Sequence, residues 1–260
     1  MSKPSPRKRT MEPRRRPARS RGSGGPKDGP IWLWGSHAVA AAKANPARHI
    51  HRLVTTANAA RRLGLDGAEI LQAKELERLL PRDAVHQGAA LLADPLPSIE
   101  LGELIEKGCE RLAVLDQVSD PHNLGAIYRS AAAFGIGGLI LQTRNAPEIT
   151  GIAAKSAAGA IEQVPECRVV NVARTIETLA EAGYTVIGLA GEASFSIAEA
   201  MAGTGKVAIV LGSEGAGLRP AVAKACTMLA RIPMSPVMES LNVSNAAAIA
   251  FYAAAAQHYS

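Results

Sequence analysis

Three short stretches concentrate the side chains able to do chemistry. The first runs Asp116-Gln-Val-Ser-Asp-Pro-His-Asn123-Leu-Gly-Ala-Ile-Tyr-Arg129 and sets an amide and a guanidinium about two helical turns apart. Asn123 can accept from the free N–H groups of a helix start, and Arg129 can hold negative charge. The same two residues would serve equally as an N-cap and a surface position. The second stretch, Leu211-Gly-Ser-Glu-Gly-Ala-Gly217, is a glycine-rich loop directly after the apolar run Val207–Leu211. Glycines permit positive φ and close backbone approach, so such a loop can cradle an anion or a cofactor. It has neither the Lys-Ser/Thr ending of a P-loop nor the GxGxxG spacing of a dinucleotide fold. The third, Ile232-Pro-Met-Ser-Pro-Val-Met-Glu-Ser-Leu-Asn-Val-Ser-Asn245, alternates Ser240, Asn242 and Ser244. Ser244 also reads as the cap of a last helix.

These stretches need a scaffold, and the pattern around them supplies one. Strand-like runs fall at Leu112–Leu115, Gly138–Gln142, Arg168–Val172, Thr185–Leu189, Val207–Leu211 and Leu229–Pro233. Helical runs fall between them at Leu124–Phe134, Gly151–Ala160, Ala173–Ala182 and Arg219–Ala225, with Ser244–Gln257 last. Gly135 and Gly183 close two of them. This alternation predicts an α/β fold with a mostly parallel sheet covered on both faces. Ligands on such sheets bind beyond the carboxyl ends of the strands, where all three stretches lie. Residues 31–92 make a smaller α/β unit: strand Ile31–Trp34, helix His37–Ala44, strand Ile50–Thr55, and helices Asn58–Leu63 and Lys74–Leu80. The prolines of Leu92-Ala-Asp-Pro-Leu-Pro-Ser98 mark a linker over 93–108.

The 260 residues are 47% hydrophobic, which excludes general disorder. Apolar runs are far too short to span a bilayer, and the polar start offers no secretory leader. Three scattered cysteines argue against a zinc site or a disulfide framework and for a reducing cytoplasm. The charge is lopsided: residues 1–30 carry ten Lys/Arg against two Asp/Glu, while the remainder is slightly acidic. A tail so basic and so poor in apolar residues is expected to be disordered, a polyanion tether or a solubility tail.

Taken together, the stretches resemble the SpoU (TrmH) family of RNA ribose 2′-O-methyltransferases. The resemblance rests on Asn123-x-Gly125-x-x-x-Arg129, Leu211-Gly-Ser-Glu-Gly-x-Gly217 and Ile232-Pro-Met…Ser240-Leu-Asn-Val-Ser244, with Lys155-Ser-Ala-Ala-Gly-Ala160 also familial. Trp34-Gly35-x-His37 and His86-Gln87-Gly88 resemble the small substrate-binding domain of the 23S rRNA guanosine methyltransferases in that family.

The resemblance implies a SPOUT sheet tied in a C-terminal trefoil knot over 109–260. It implies S-adenosylmethionine held by Gly191, Gly212, Ile232 and Leu241, and a homodimer through the knot and the last helix. Asn123, Glu214, Ser240 and Asn242 would orient the ribose and Arg129. The family's arginine has been cast as a base. Guanidinium deprotonates so reluctantly that Arg129 fits better as a clamp on the developing alkoxide and a phosphate. Ribosomal RNA, most specifically a guanosine of 23S rRNA, is the expected substrate. A tRNA ribose methyltransferase and a non-catalytic ribosome-assembly factor are the alternatives.

Overall fold

A computed structural model describes residues 29–144, 147 and 149–256. The basic tail therefore lies outside the described residues, apart from its last two positions, and so does Gln257. The chain begins with β1 (Ile31–Trp34), α1 (Ser36–Ala44), β2 (Ile50–Thr55), α2 (Ala57–Leu63), β3 (Glu69–Ile70), α3 (Ala73–Glu77) and β4 (Ala89–Ala93). These strands form a sheet in the order β1-β4-β2-β3, with β4 antiparallel to both neighbours.

There follow α4 (Leu101–Glu106), β5 (Arg111–Leu115), α5 (Pro121–Ala133), β6 (Leu139–Gln142) and α6 (Gly151–Ala157). After a 3₁₀ turn at Ala160–Glu162 come β7 (Glu166–Val169), α7 (Val172–Glu181), β8 (Thr185–Leu189), β9 (Phe195–Ser196) and α8 (Ile197–Met201). The chain then runs through β10 (Val207–Leu211), α9 (Pro220–Ala225), β11 (Met228–Arg231) and α10 (Val243–Ala256). The seven strands β7-β6-β5-β10-β8-β11-β9 pair in parallel throughout.

Side-chain alternation along each strand divides the core in two. Leu112, Val114, Ile140, Ala208 and Val210 pack under α4, α7 and α9. Ala113, Leu115, Leu139, Ile209 and Leu211 pack under α5, α6, α8 and α10, and this face continues into the small sheet through Leu33 and Leu91 and onto α1 through Val39. All five residues of β10 are buried, as the unbroken apolar run demands of a strand covered on both faces.

Several expected boundaries shift. The stretch read as a linker over 93–108 begins with the last residue of β4. It then adds Ile99, whose amide donates to the Glu166 carbonyl at 2.8 Å, and α4 with a fully buried Leu104. The strand expected at Arg168–Val172 begins and ends earlier, because Asn171 caps α7 by accepting from the Arg174 amide. The helix expected over Lys74–Leu80 is cut to α3, with turns following.

The two sheets meet along a tight seam. A Cβ on Gly151 would lie 1.9 Å from the Trp34 ring, so α6 sits directly on β1. Beside it Arg48, 1% exposed, pairs with Glu162, 7% exposed, at 2.8 Å. Asn45 donates to the same carboxylate at 2.7 Å, and Arg48 also donates to the Asp94 carbonyl at 2.8 Å.

Candidate active site

The carboxyl ends of β8, β10 and β11 open onto a cavity of about 340 Å³. Its walls are the turn after β8, the whole loop after β10, parts of the loop after β11, and the first turn of α10. Gly191, Gly212, Ile232 and Leu241 all line it, together with Glu214 and Ser240. A Cβ at Gly191 would meet nothing within 4 Å, so the wall there is bare backbone. Gly212 is small for a different reason. The loop closes on itself through Ser213 and Gly217, which exchange amide–carbonyl bonds of 3.1 and 3.0 Å. A Cβ on Gly212 would lie 2.2 Å from the Gly217 carbonyl carbon. Its absent side chain is required by the loop's own closure.

The far end of that loop is anchored by a pair that sequence reading did not assign. Asp116, fully buried at the end of β5, accepts from Arg219 Nε at 2.9 Å and from the Arg219 amide at 3.3 Å. The available signal was a carboxylate directly after four apolar strand residues, where burial without a cation would be costly. Behind it, burial pushes the Cys226 thiol up to about 12, with the Asp116 charge adding to the effect.

At the rim, three expected residues meet. Asn123 Nδ2 donates to Glu214 Oε1 at 2.6 Å, and Asn242 Nδ2 donates to the same oxygen at 2.8 Å and to Asn123 Oδ1 at 3.0 Å. Asn123 is free to do this because it does not cap α5. Asp120 does, accepting from the His122 amide at 2.9 Å, with Pro121 in the first turn. Ser244 likewise lies inside α10, while Asn242 Oδ1 accepts from its amide at 2.9 Å and its hydroxyl at 2.6 Å. Glu214 therefore joins the cavity wall to both asparagines.

The other two expected residues stand apart from this cluster. Ser240 lines the cavity and makes no side-chain hydrogen bond among the described residues. Arg129 lies six residues beyond Asn123, about 120° around the helix from it. It is exposed and has no ion-pair partner among the described residues. Among those residues the only metal-capable cluster is His49, His51 and Asp94, on the exposed face of the small sheet.

A parallel sheet carrying a backbone-walled cavity and an amide–carboxylate cluster at its strand ends is an α/β fold with a ligand site where such sheets carry theirs. The chain belongs to the SpoU rRNA methylase family, which it matches over residues 110–252. It is 37% identical over 242 residues to a Vibrio cholerae 23S rRNA (guanosine-2′-O-)-methyltransferase RlmB, covering 86% of this chain and 96% of that one. It is 40% identical over 178 residues to an uncharacterized tRNA/rRNA methyltransferase of Synechocystis, covering 66% of this chain and 46% of that protein. The crystal structure of the SpoU methyltransferase AviRb from Streptomyces viridochromogenes, in complex with AdoMet, superposes with a TM-score of 0.74 at 25% identity. That superposition covers 89% of this chain and 91% of the other.

Proposed function

We propose that the protein methylates the 2′-hydroxyl of a ribose in ribosomal RNA, a guanosine of 23S rRNA, with S-adenosylmethionine as donor. The observation that carries this reading is Glu214, which faces the cavity and binds Asn123 and Asn242 at its rim. The cavity fits the donor: its size suits a nucleoside, its glycine-rich turns offer backbone groups, and Leu189, Leu211 and Leu241 offer apolar contact for a base. When bound, S-adenosylmethionine supplies an electrophilic methyl group. Gly191, Gly212, Ile232 and Leu241 hold it, and the chain's remaining task is to bring a weakly acidic hydroxyl into line. Glu214, Asn123, Asn242 and Ser240 orient the ribose. Arg129, with no anionic partner among the described residues, clamps the developing alkoxide together with a phosphate of the RNA, and the proton leaves to that phosphate or to water.

The assignment of parts belongs to the same proposal. Residues 31–92 select the RNA, 93–108 connect, 109–260 transfer the methyl group within a knotted sheet, and the basic residues 1–30 tether polyanions. The chain acts as a homodimer in the cytoplasm. α10 supports the pairing: Ile249 and Tyr252 are exposed one turn apart, on a helix otherwise made largely of alanine. Among the described residues no helix is long and apolar enough to cross a membrane. Incubation of the protein with labelled donor and, in parallel, 23S rRNA or tRNA, followed by ribose-methylation mapping, tests the reading. One 2′-O-methylguanosine is expected; label on tRNA alone, or none, would overturn it.

A further inference from the structure

The seam between the small sheet and α6 holds a cation that no described residue pairs with. Lys155, in the last turn of α6, is half-buried. Its stem runs past Gly35, where a Cβ would lie 3.4 Å from Lys155 Cγ and 3.6 Å from Gln87 Oε1. The ammonium has no hydrogen-bond or ion-pair partner among the described residues. A lysine stem on apolar surface would mean little by itself. Here the surroundings are polar and fixed. The Ser36 amide donates to Gln87 Oε1 at 3.0 Å, and Arg62 donates to Ser36 Oγ at 3.1 Å and to the Gln87 carbonyl at 3.2 Å. Gln87 is held at φ +54°, a conformation rarely taken by residues with side chains. The acid of this seam, Glu162, is already occupied by Arg48 and Asn45.

The seam also leads to the reacting cluster. Ser156, next to Lys155, places Oγ 3.5 Å from His122 Nδ1, and its Cβ would sit 2.5 Å from a Cβ on Gly125. His122 immediately precedes Asn123. We propose that Lys155, in the seam that also holds Arg62 and leads through Ser156 to His122, binds a phosphate of the substrate RNA beside the target nucleotide and so sets the strand's register at Asn123. This deepens the ribose-methyltransferase reading and rests on it. A compact ammonium with three donors suits non-bridging phosphate oxygens, and phosphate contacts fix register without reading sequence.

The test uses the full chain and a 23S rRNA transcript, and compares wild type with Lys155→Met, which keeps the stem, and Lys155→Arg, which keeps the charge. The methionine variant should bind the transcript about tenfold more weakly at low salt. Its slope of log affinity against log salt should be shallower by about 0.7–0.9, one phosphate contact. Arginine should restore the slope, and donor affinity and melting temperature should not move. Wild-type affinity and slope in the methionine variant would overturn the proposal. So would a loss that comes with a lowered melting temperature and is not recovered by arginine. Lys155-dependent binding without any ribose methylation would leave the phosphate contact standing and remove the enzymatic reading.

Discussion

Asn123 owes its availability to Asp120, which takes over the capping of α5 and leaves the amide to Glu214 and Asn242. Replacing it by aspartate keeps the shape and sets a carboxylate against Glu214 at 2.6 Å. Two such groups cannot both ionise at that distance, so the pair should take up a proton. Asn123→Asp should lose methylation at pH 8 and recover part of it towards pH 6; a flat profile from pH 6 to 8 would show that Glu214 does not depend on its neighbour. Arg129→Ala should leave donor affinity intact and lower the single-turnover rate by about 10²–10³, the loss typical of one preorganised donor to an oxyanion. Lysine should rescue only part, because it keeps the charge and loses the fork. A fully active alanine variant would reduce Arg129 to a surface residue. Gly212→Ala forces the loop open against Gly217, so calorimetry should find donor binding lost.

At the scale of elements, α10 makes its own prediction. Ile249→Asp or Tyr252→Asp puts charge on the exposed apolar stripe and should shift sedimentation from dimer to monomer, with the core-facing Phe251 undisturbed. A wild-type chain that sediments as a monomer would remove the dimer from the proposal.

The elements most legible in the sequence were those whose burial is written in composition. β8 and β10 fall where their apolar runs lie, and α6 starts behind Thr150, which accepts from the Ala153 amide. β3 and β9, at two residues each, are too short to carry a period. α4 was hidden by Gly102 and by the charged Glu100, Glu103, Glu106 and Lys107; only its contact with the sheet identifies Leu104 as core. At the site, loops at strand ends said only where a ligand would sit; Gly191, Gly212, Ile232 and Leu241 themselves came from the family resemblance. The Asp116–Arg219 and Arg48–Glu162 pairs join residues about a hundred positions apart; the run before Asp116 hints at a buried carboxylate, but no local pattern names either partner.

Across the whole molecule, protons retained by the folded chain set an alkaline limit. Burial pushes Cys167 up to about 11 and Cys226 up to about 12, and holds the Tyr128 hydroxyl well above its ordinary value. In the unfolded chain the thiols ionise near ~8.5. Below that pH the contribution to stability is complete; as pH rises towards 11–12 the unfolded state sheds protons that the folded state keeps, and stability falls. The melting temperature should be level from pH 7 to 8 and decline above 9, with Cys226→Ala flattening the decline. An unchanged decline in that variant would show that Cys226 plays no part. The seam is the other global determinant. Glu162→Gln leaves Arg48 charged and buried, and should cost about 3–5 kcal/mol in urea unfolding.

The ion pair at that seam also bears on where the chain can be cut and rejoined. Prolines at 95 and 97 invite exchange of the small sheet between relatives as a cassette. Yet Arg48 would leave without Glu162, and the Trp34 ring without the glycine that admits it at position 151. A chimaera joined at the prolines should therefore express poorly, and one that also carries residues 151–162 from the donor of the small sheet should fold. The transplantable unit is discontinuous in the chain.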